Sequence, residues 1–99
     1  MDLNSTDRAV HTLQPTGNLD SLNGTRLHHD VEALIQAGAR TVLVDCAHLE
    51  LIDSAGFSAL AASLKALQTV DGNLILCHLH EQHQRLLSLT GLDAVLTVL

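Results

Sequence analysis

The segment Val42–Phe57, with the sequence VLVDCAHLELIDSAGF, constrains the fold more than any other part of the chain. Thr41–Cys46 is a short, β-branched apolar run, which predicts a buried strand. After a loop, a helix is predicted to begin at about Ser54. Its apolar residues keep the helical period for three turns: Phe57, Leu60, Ala61, Leu64 and Leu67. A strand followed closely by a helix predicts an α/β fold and places the Ser54 hydroxyl at the positive end of a helix.

The rest of the chain continues this alternation of strands and helices. One helix is predicted to follow Ser21, which could cap it, and to end at Gly38. Another is predicted over Glu81–Leu89, and Gly91 closes it. The apolar stripe of the first is formed by Leu27, Val31, Leu34 and Ile35, and Leu86 and Leu89 share one side of the second. Further strands are predicted at Arg8–Leu13, Leu74–Cys77 and Val95–Leu99, with a weak edge strand at Asp2–Ser5 forming an N-terminal hairpin.

These elements predict the architecture. Right-handed crossovers between parallel strands would build an α/β fold, a four- or five-stranded mixed sheet with about three helices packed on one face. With 99 residues, the chain is expected to be a single domain over residues 1–99. The other face of the sheet must be partly protected or must tolerate water.

Composition narrows the classes of partner. The net charge is −6, with one Phe and no Tyr or Trp, so nucleic acid and anionic membranes are poor partners and a protein surface is the better expectation. We see neither a signal peptide nor an apolar run long enough for a membrane helix, and we expect a cytoplasmic protein. Cys46 and Cys77 lie in or beside predicted strands and are expected to be buried, reduced thiols.

Four segments carry recognisable motifs: Gly17–Asp20, Val42–Asp45, Ile52–Phe57 and Ser88–Leu92. In order and spacing they resemble the G-x-L-D turn, the central strand, the D-S-[ST]-G-[LF] helix start and the end of the third helix of the STAS domain family. Within that family, they resemble the anti-sigma factor antagonists. The resemblance extends from about residue 8 to residue 98.

The resemblance implies a regulatory binding module. In this family, the unphosphorylated antagonist binds an anti-sigma factor that is also a serine kinase of the GHKL type, and so frees a sigma factor. The kinase then phosphorylates the first serine of the motif, which is Ser54 here, and a PP2C-type phosphatase resets the cycle. Ala55 stands where many antagonists have a second Ser or Thr. The alternative is a STAS subunit docked on an ABC-type lipid-transport ATPase, with Ser54 acting by contact alone.

Six residues form the predicted partner-binding site: Asp20, Leu49, Leu51, Asp53, Ser54 and Gly56. Ser54 is either the cap of its helix or an outward phosphate acceptor, and it is easier to reach if Asp53 is the cap. Asp20 and Asp53 are either turn and capping residues or an acidic rim for docking. Gly56 eases the tight entry into the helix. Leu49 and Leu51 belong to the predicted loop before Ser54; this loop is either tucked under the helix or leaves one leucine exposed as an anchor.

No catalytic or cofactor site is predicted. The sequence contains no phosphate loop, triad pattern or cofactor fingerprint, so an enzyme is not expected. The histidines of His78-x-His80-x-x-His83 span a strand end and a helix, and no Cys or carboxylate spacing completes a familiar zinc site. We therefore expect no bound metal and no cofactor.

Overall fold

The computed structural model describes residues 10–99. The predicted edge strand at Asp2–Ser5 and the first two residues of the predicted strand Arg8–Leu13 lie outside the described residues. The described part contains six strands: β1 (Val10–Leu13), β2 (Gly17–Leu19), β3 (Thr41–Asp45), β4 (Leu49–Ile52), β5 (Asn73–Cys77) and β6 (Thr97–Val98). It contains three α-helices and one short 3₁₀ helix: α1 (Ser21–Gln36), α2 (Ser54–Gln68), α3 (Glu81–Thr90) and the 3₁₀ helix Leu92–Ala94.

The strands form two sheets. A four-stranded sheet has the order β1-β3-β5-β6, and a two-stranded sheet pairs β2 with β4. Every described pairing is parallel, as expected for strands joined by crossover helices. The α/β architecture with three helices is confirmed. An antiparallel N-terminal hairpin would involve residues outside the described ones.

One face of the larger sheet and all three helices share a single hydrophobic core. Strands β3 and β5 alternate between fully buried and half-buried residues, so their fully buried side chains lie on one face. The core joins Val42, Val44, Leu74 and Leu76 from this face to Leu27, Val31, Phe57, Leu60, Leu64, Leu67 and Leu87 from the helices. The predicted stripes of α1 and α2 are thus confirmed, with Leu34, Ile35 and Ala61 only partly buried.

The opposite face of the four-stranded sheet, which we call the open face, is more accessible. It carries Thr12, Thr41, Leu43, Asp45, Asn73, Ile75, Cys77 and Thr97, none of which is fully buried. The prediction that Cys77 is buried is therefore wrong, although Cys46 is fully buried and both cysteines are free thiols.

Helix α3 differs from its prediction in the face that it buries. Its buried residues are His83 and Leu87, whereas Leu86 and Leu89 are exposed to 42% and 81%. The helix ends as predicted, because Gly91 adopts a left-handed φ of 80° that residues with a side chain rarely adopt. The predicted last strand is shorter than expected, since the 3₁₀ helix Leu92–Ala94 precedes it. None of the helices within residues 10–99 has the length and apolar character needed to span a membrane.

Candidate partner-binding site

The site is built where β2 and β4 end side by side. Leu19, the last residue of β2, pairs with Ile52, the last residue of β4. Each strand leads through a single aspartate into a helix, β2 through Asp20 into α1 and β4 through Asp53 into α2. The Asp53 N–H donates a hydrogen bond of 3.2 Å to the Leu19 carbonyl, which ties the two helix starts together.

Both aspartates cap their helices. Oδ1 of Asp53 accepts a hydrogen bond from the Gly56 N–H at 2.9 Å, and Oδ1 of Asp20 accepts one from the Asn23 N–H at 3.0 Å. These bonds satisfy backbone donors that a helix start leaves without intrahelical partners. The two readings of the α2 start are therefore resolved in favour of Asp53 as the cap. The expectation that Ser21 caps α1 is wrong, because Asp20 does so and Ser21 is the first helical residue.

Ser54 is left exposed by this arrangement. It is the first residue of α2, its side chain faces solvent, and its hydroxyl makes no hydrogen bond to any of residues 10–99. Asp53 binds the Gly56 N–H, which leaves the Ser54 and Ala55 N–H groups at the positive end of the helix. An anion attached to Ser54 would therefore meet backbone donors on one side and the carboxylate of Asp53 on the other.

Gly56 has a structural role at this site. It is buried, and a Cβ at this position would collide with the Leu19 backbone carbonyl and crowd Cγ2 of Ile52. The absent side chain allows α2 to start directly against the end of β2. The expectation that Gly56 belongs to the partner-contacting surface is corrected. Gly56 is buried against the Leu19 backbone, and its role is to allow the close packing of α2 on β2.

The segment before Asp53 is strand β4, so its prediction as a loop is wrong. Leu49 and Ile52 are buried at its two ends, whereas Leu51 is 53% exposed. Leu49, exposed to only 1%, belongs to the core and does not present an anchor to a partner. The predicted exposed leucine is therefore Leu51 alone.

One exposed residue near the site was missed by the sequence reasoning. Leu22, in the first turn of α1, is 64% exposed. Its position off the stripe of Leu27 and Val31 was the available signal, since a leucine outside a buried stripe has to face water.

Between the starts of α1 and α2 lies a shallow groove of about 360 Å³, lined by Ser21, Gly24, Thr25, His28, Ala55, Ser58 and Ala59. The groove borders Ala55, the residue after Ser54, and exposed leucines lie on α1 (Leu22) and on β4 (Leu51).

The three histidines of the His78–His83 segment do not come together. His83 is buried, and neither ring nitrogen makes a hydrogen bond of good geometry within the described residues, although the Glu50 backbone lies near the ring. The His80 ring packs edge-on against it at a centroid distance of 5.7 Å. Burial, together with the neighbouring His80, lowers the pKa of His83 below its ordinary value. His78 points instead to Asp45 on the neighbouring strand. The sequence motif is therefore not a three-histidine metal site.

Comparison with known proteins assigns a family to this geometry. The model of the STAS domain matches residues 2–98. An anti-sigma-B factor antagonist of Staphylococcus epidermidis is 32% identical over 82 residues, which cover 83% of this chain and 76% of the relative.

Solved structures share this fold. The protein TM1081 is 25% identical with a TM-score of 0.80, over 89% of this chain and 71% of its own. The Bacillus cell fate determinant SpoIIAA in its phosphorylated form has the same fold, with a TM-score of 0.73 at 18% identity, over 93% of this chain and 84% of its own. SpoIIAA is also known in an unphosphorylated form, which matches with a TM-score of 0.75 at 16% identity, over 93% of this chain and 80% of its own.

Proposed function

This chain belongs to the STAS domain family and, within it, to the anti-sigma factor antagonists, and we propose that Ser54 is the phosphate acceptor that switches its binding to an anti-sigma factor. The members of this group are regulatory proteins rather than enzymes. We further propose that the protein acts in the cytoplasm. The observation that carries the proposal is the capping of α2 by Asp53, which leaves the Ser54 hydroxyl exposed and unbonded.

In the proposed cycle, the unphosphorylated chain binds an anti-sigma factor that is also a GHKL-type serine kinase. Binding releases the sigma factor, and transfer of the γ-phosphoryl group of ATP to Ser54 Oγ, with ADP and a proton leaving, then releases the antagonist. A PP2C-type phosphatase hydrolyses the phosphoserine and restores the binding form. SpoIIAA, which shares the fold, occurs in both phosphorylated and unphosphorylated forms, which agrees with such a cycle.

The structure around Ser54 explains how one phosphate could act on binding rather than on folding. The helix dipole of α2 would stabilise the phosphate by about 0.3–1 kcal/mol, and the nearby Asp53 carboxylate would oppose it. Because Asp53 already satisfies the helix start, the phosphate replaces no internal hydrogen bond of Ser54. We therefore expect an unchanged fold and an interface weakened by added charge and bulk. A loss of roughly 1.4–3 kcal/mol would weaken binding about 10- to 150-fold.

The proposed contact surface combines Ser54 with the apolar residues Leu22 and Leu51 and the acidic residues Asp20 and Asp53. The leucines are exposed to 64% and 53%, which makes them suitable anchors for a protein partner. The small residue Ala55 beside Ser54 leaves the hydroxyl open to an approaching kinase. The carboxylates would give the surface a preference for a basic patch on the partner.

The test is intact-mass analysis of the chain after incubation with ATP and a GHKL-type serine kinase that acts as an anti-sigma factor. We expect the wild type to gain one phosphoryl group and Ser54→Ala to gain none. Ser58→Ala is the matched control, since Ser58 is an exposed hydroxyl one turn further along α2, and it should be phosphorylated like the wild type.

A second measurement separates phosphorylation from contact. Titration calorimetry with the anti-sigma factor should show binding of wild type and Ser54→Ala and at least about tenfold weaker binding of Ser54→Glu. An unmodified wild type, with a kinase that phosphorylates another antagonist, would contradict the phosphate cycle. In that case the contact-only role remains, and a transporter ATPase becomes the partner to test.

A further inference from the structure

A cluster of three potential metal ligands lies at the carboxyl ends of two neighbouring strands, away from Ser54. Asp45 is the last residue of β3 and pairs in register with Cys77, the last residue of β5. Both belong to the open face, because the flanking core residues Val44 and Leu76 point to the other side. In parallel sheets, this edge is where ligands are most often bound.

His78 completes the cluster through an uncommon backbone conformation. It has a left-handed φ of 56°, which is uncommon outside glycine, although asparagine, aspartate and histidine adopt it more often than other residues. With this φ, Nδ1 of His78 lies 3.0 Å from Oδ1 of Asp45. The Asp45 oxygen, the Cys77 sulfur and the His78 nitrogen all lie within 4.8 Å of one another.

We propose that Asp45, Cys77 and His78 bind a zinc ion, with the fourth position open to water. A thiolate, an imidazole and a carboxylate together form a donor set that suits Zn²⁺ and would be poor for Mg²⁺ or Ca²⁺. Bonds of about 2.0–2.2 Å to nitrogen and oxygen at a tetrahedral ion separate those two atoms by roughly 3.3 Å. The observed 3.0 Å between these two atoms therefore needs to open by a few tenths of an ångström. The Cys77 sulfur, within 4.8 Å of both, has to come to about 3.6 Å from them.

The carboxylate of Asp45 is held in place from outside the cluster. Nε2 of Gln14 donates a hydrogen bond of 3.0 Å to Oδ2, and the Ala47 N–H donates one of 3.0 Å to Oδ1. Such bonds fix the orientation of a ligand before the metal arrives, as partners in an outer coordination shell do. An ordinary surface pair of Asp and His would need neither the thiol nor the left-handed backbone at His78. The combination of all three is what favours a metal.

This site was not predictable from the spacing of the histidines. Asp45 and His78 are 33 residues apart, and only the pairing of β3 with β5 brings them together. The proposal is independent of phosphorylation at Ser54, so either can fail without the other.

The experiment uses the full chain, freed of metal and kept reduced, and titrates it with Co²⁺ as a spectroscopic probe. We expect saturation at one equivalent, with a sulfur-to-cobalt charge-transfer band that Zn²⁺ then displaces. Cys77→Ser should abolish this band, and Asp45→Asn and His78→Asn should weaken Zn²⁺ binding by at least about 100-fold in competition with a chelating indicator. Gln14→Leu, which removes only the bond to Oδ2, should weaken it by about 10-fold. Asparagine is chosen at position 78 because it tolerates the left-handed conformation.

Two controls keep the test decisive. Cys46→Ala removes the other thiol and His28→Gln removes a histidine elsewhere, and both should retain the band and the affinity for Zn²⁺. Thermal unfolding of each variant without metal confirms that it is folded. Cobalt binding without a charge-transfer band, or binding that the Cys77→Ser and His28→Gln variants lose equally, would overturn the proposal. The proposal would also be overturned if the folded wild type bound no equivalent of Co²⁺ tightly.

Discussion

Helices α1 and α2 begin with the same two residues, yet their starts differ in what surrounds the serine. In both, an aspartate caps the helix and a serine is the first helical residue. In α1 the next residues are Leu22 and Asn23, and the Asn23 side chain donates a hydrogen bond of 2.7 Å to the Asn18 carbonyl. In α2 they are Ala55 and Gly56, and the backbone is pressed against Leu19. Capping geometry alone therefore does not distinguish Ser21 from Ser54; the two starts differ in the residues that follow each serine.

The largest difference between the two starts should appear when each buried glycine is replaced. Gly56→Ala places a Cβ against the backbone carbonyl of Leu19, which has little freedom to move, and should cost about 3 kcal/mol or more of unfolding free energy. Gly24→Ala in α1 places its Cβ 2.8 Å from Cβ of Ala59. Because the Ala59 Cβ is fixed to its helix, α1 and α2 must move apart slightly, whereas alanine favours the helix, so we expect a cost of about 1–2 kcal/mol. Urea unfolding measures both, and equal costs would show that the contact with Leu19 is not special.

The two capping aspartates, Asp53 and Asp20, should contribute similar amounts to the free energy of unfolding. Asp53→Ala and Asp20→Ala each remove one hydrogen bond to a backbone N–H and should each destabilise by about 1 kcal/mol. Asp53→Asn and Asp20→Asn, which keep a capping oxygen, serve as controls and should recover most of the loss. A much larger effect at Asp53 than at Asp20 would indicate that the α2 start also depends on the charge of its cap.

Helix α3 provides a contrast in pH dependence, because it begins at His80 without a side-chain capping bond and buries His83 in its first turns. The pKa of His83 is lowered in the folded state, so the unfolded chain binds the proton more readily. The free energy of unfolding should have its full value above about pH 6.5. It should fall as the pH drops from there towards the folded-state pKa of His83.

Denaturant unfolding between pH 7.5 and pH 5.5 tests this dependence. His83→Leu should flatten the profile, whereas His29→Gln, at an exposed position on α1, should leave it unchanged. Because His80 is the histidine whose ring faces His83, His80→Gln should reduce the slope only in part. A profile that His83→Leu does not alter would assign the pH dependence to other groups.

The smallest effect is expected for Ser54 itself. Since Asp53 provides the cap and the Ser54 hydroxyl bonds to none of the described residues, Ser54→Ala should change the unfolding free energy by less than about 0.5 kcal/mol. Ser21→Ala should behave in the same way. A loss of 1 kcal/mol or more at Ser54 would mean that the hydroxyl caps the helix after all, and the two starts would no longer be alike.

The elements with strong periodicity were predictable from the sequence. The stripe that includes Leu27 and Val31, and the start of α2 at Ser54, follow from local patterns that the core and the cap preserve. Strand β4 was not predictable in this way, because its burial follows an in-out-out-in order rather than strict alternation. The buried face of α3 was missed because a polar residue, His83, occupies the position that an apolar residue would mark.

The candidate site was predictable in part. Asp53 and Ser54 were found because capping is a local interaction between residues three positions apart. Whether Leu49 or Leu51 faces solvent depended on the pairing of β4 with β2, which no local pattern encodes. For the same reason, the cluster at Asp45 became visible only when two strands were placed side by side.

Because Cys46 is buried, the rate at which its thiol is modified measures how often the surrounding core opens. Its side chain is inaccessible, Sγ donates a hydrogen bond of 3.6 Å to the Val44 carbonyl, and burial raises its pKa to about 12. A thiol-modifying reagent at neutral pH therefore reacts with Cys46 only after the segment between β3 and β4 has transiently opened. The rate of that reaction, followed by mass in a Cys77→Ser background, reports how often this segment opens in the absence of denaturant.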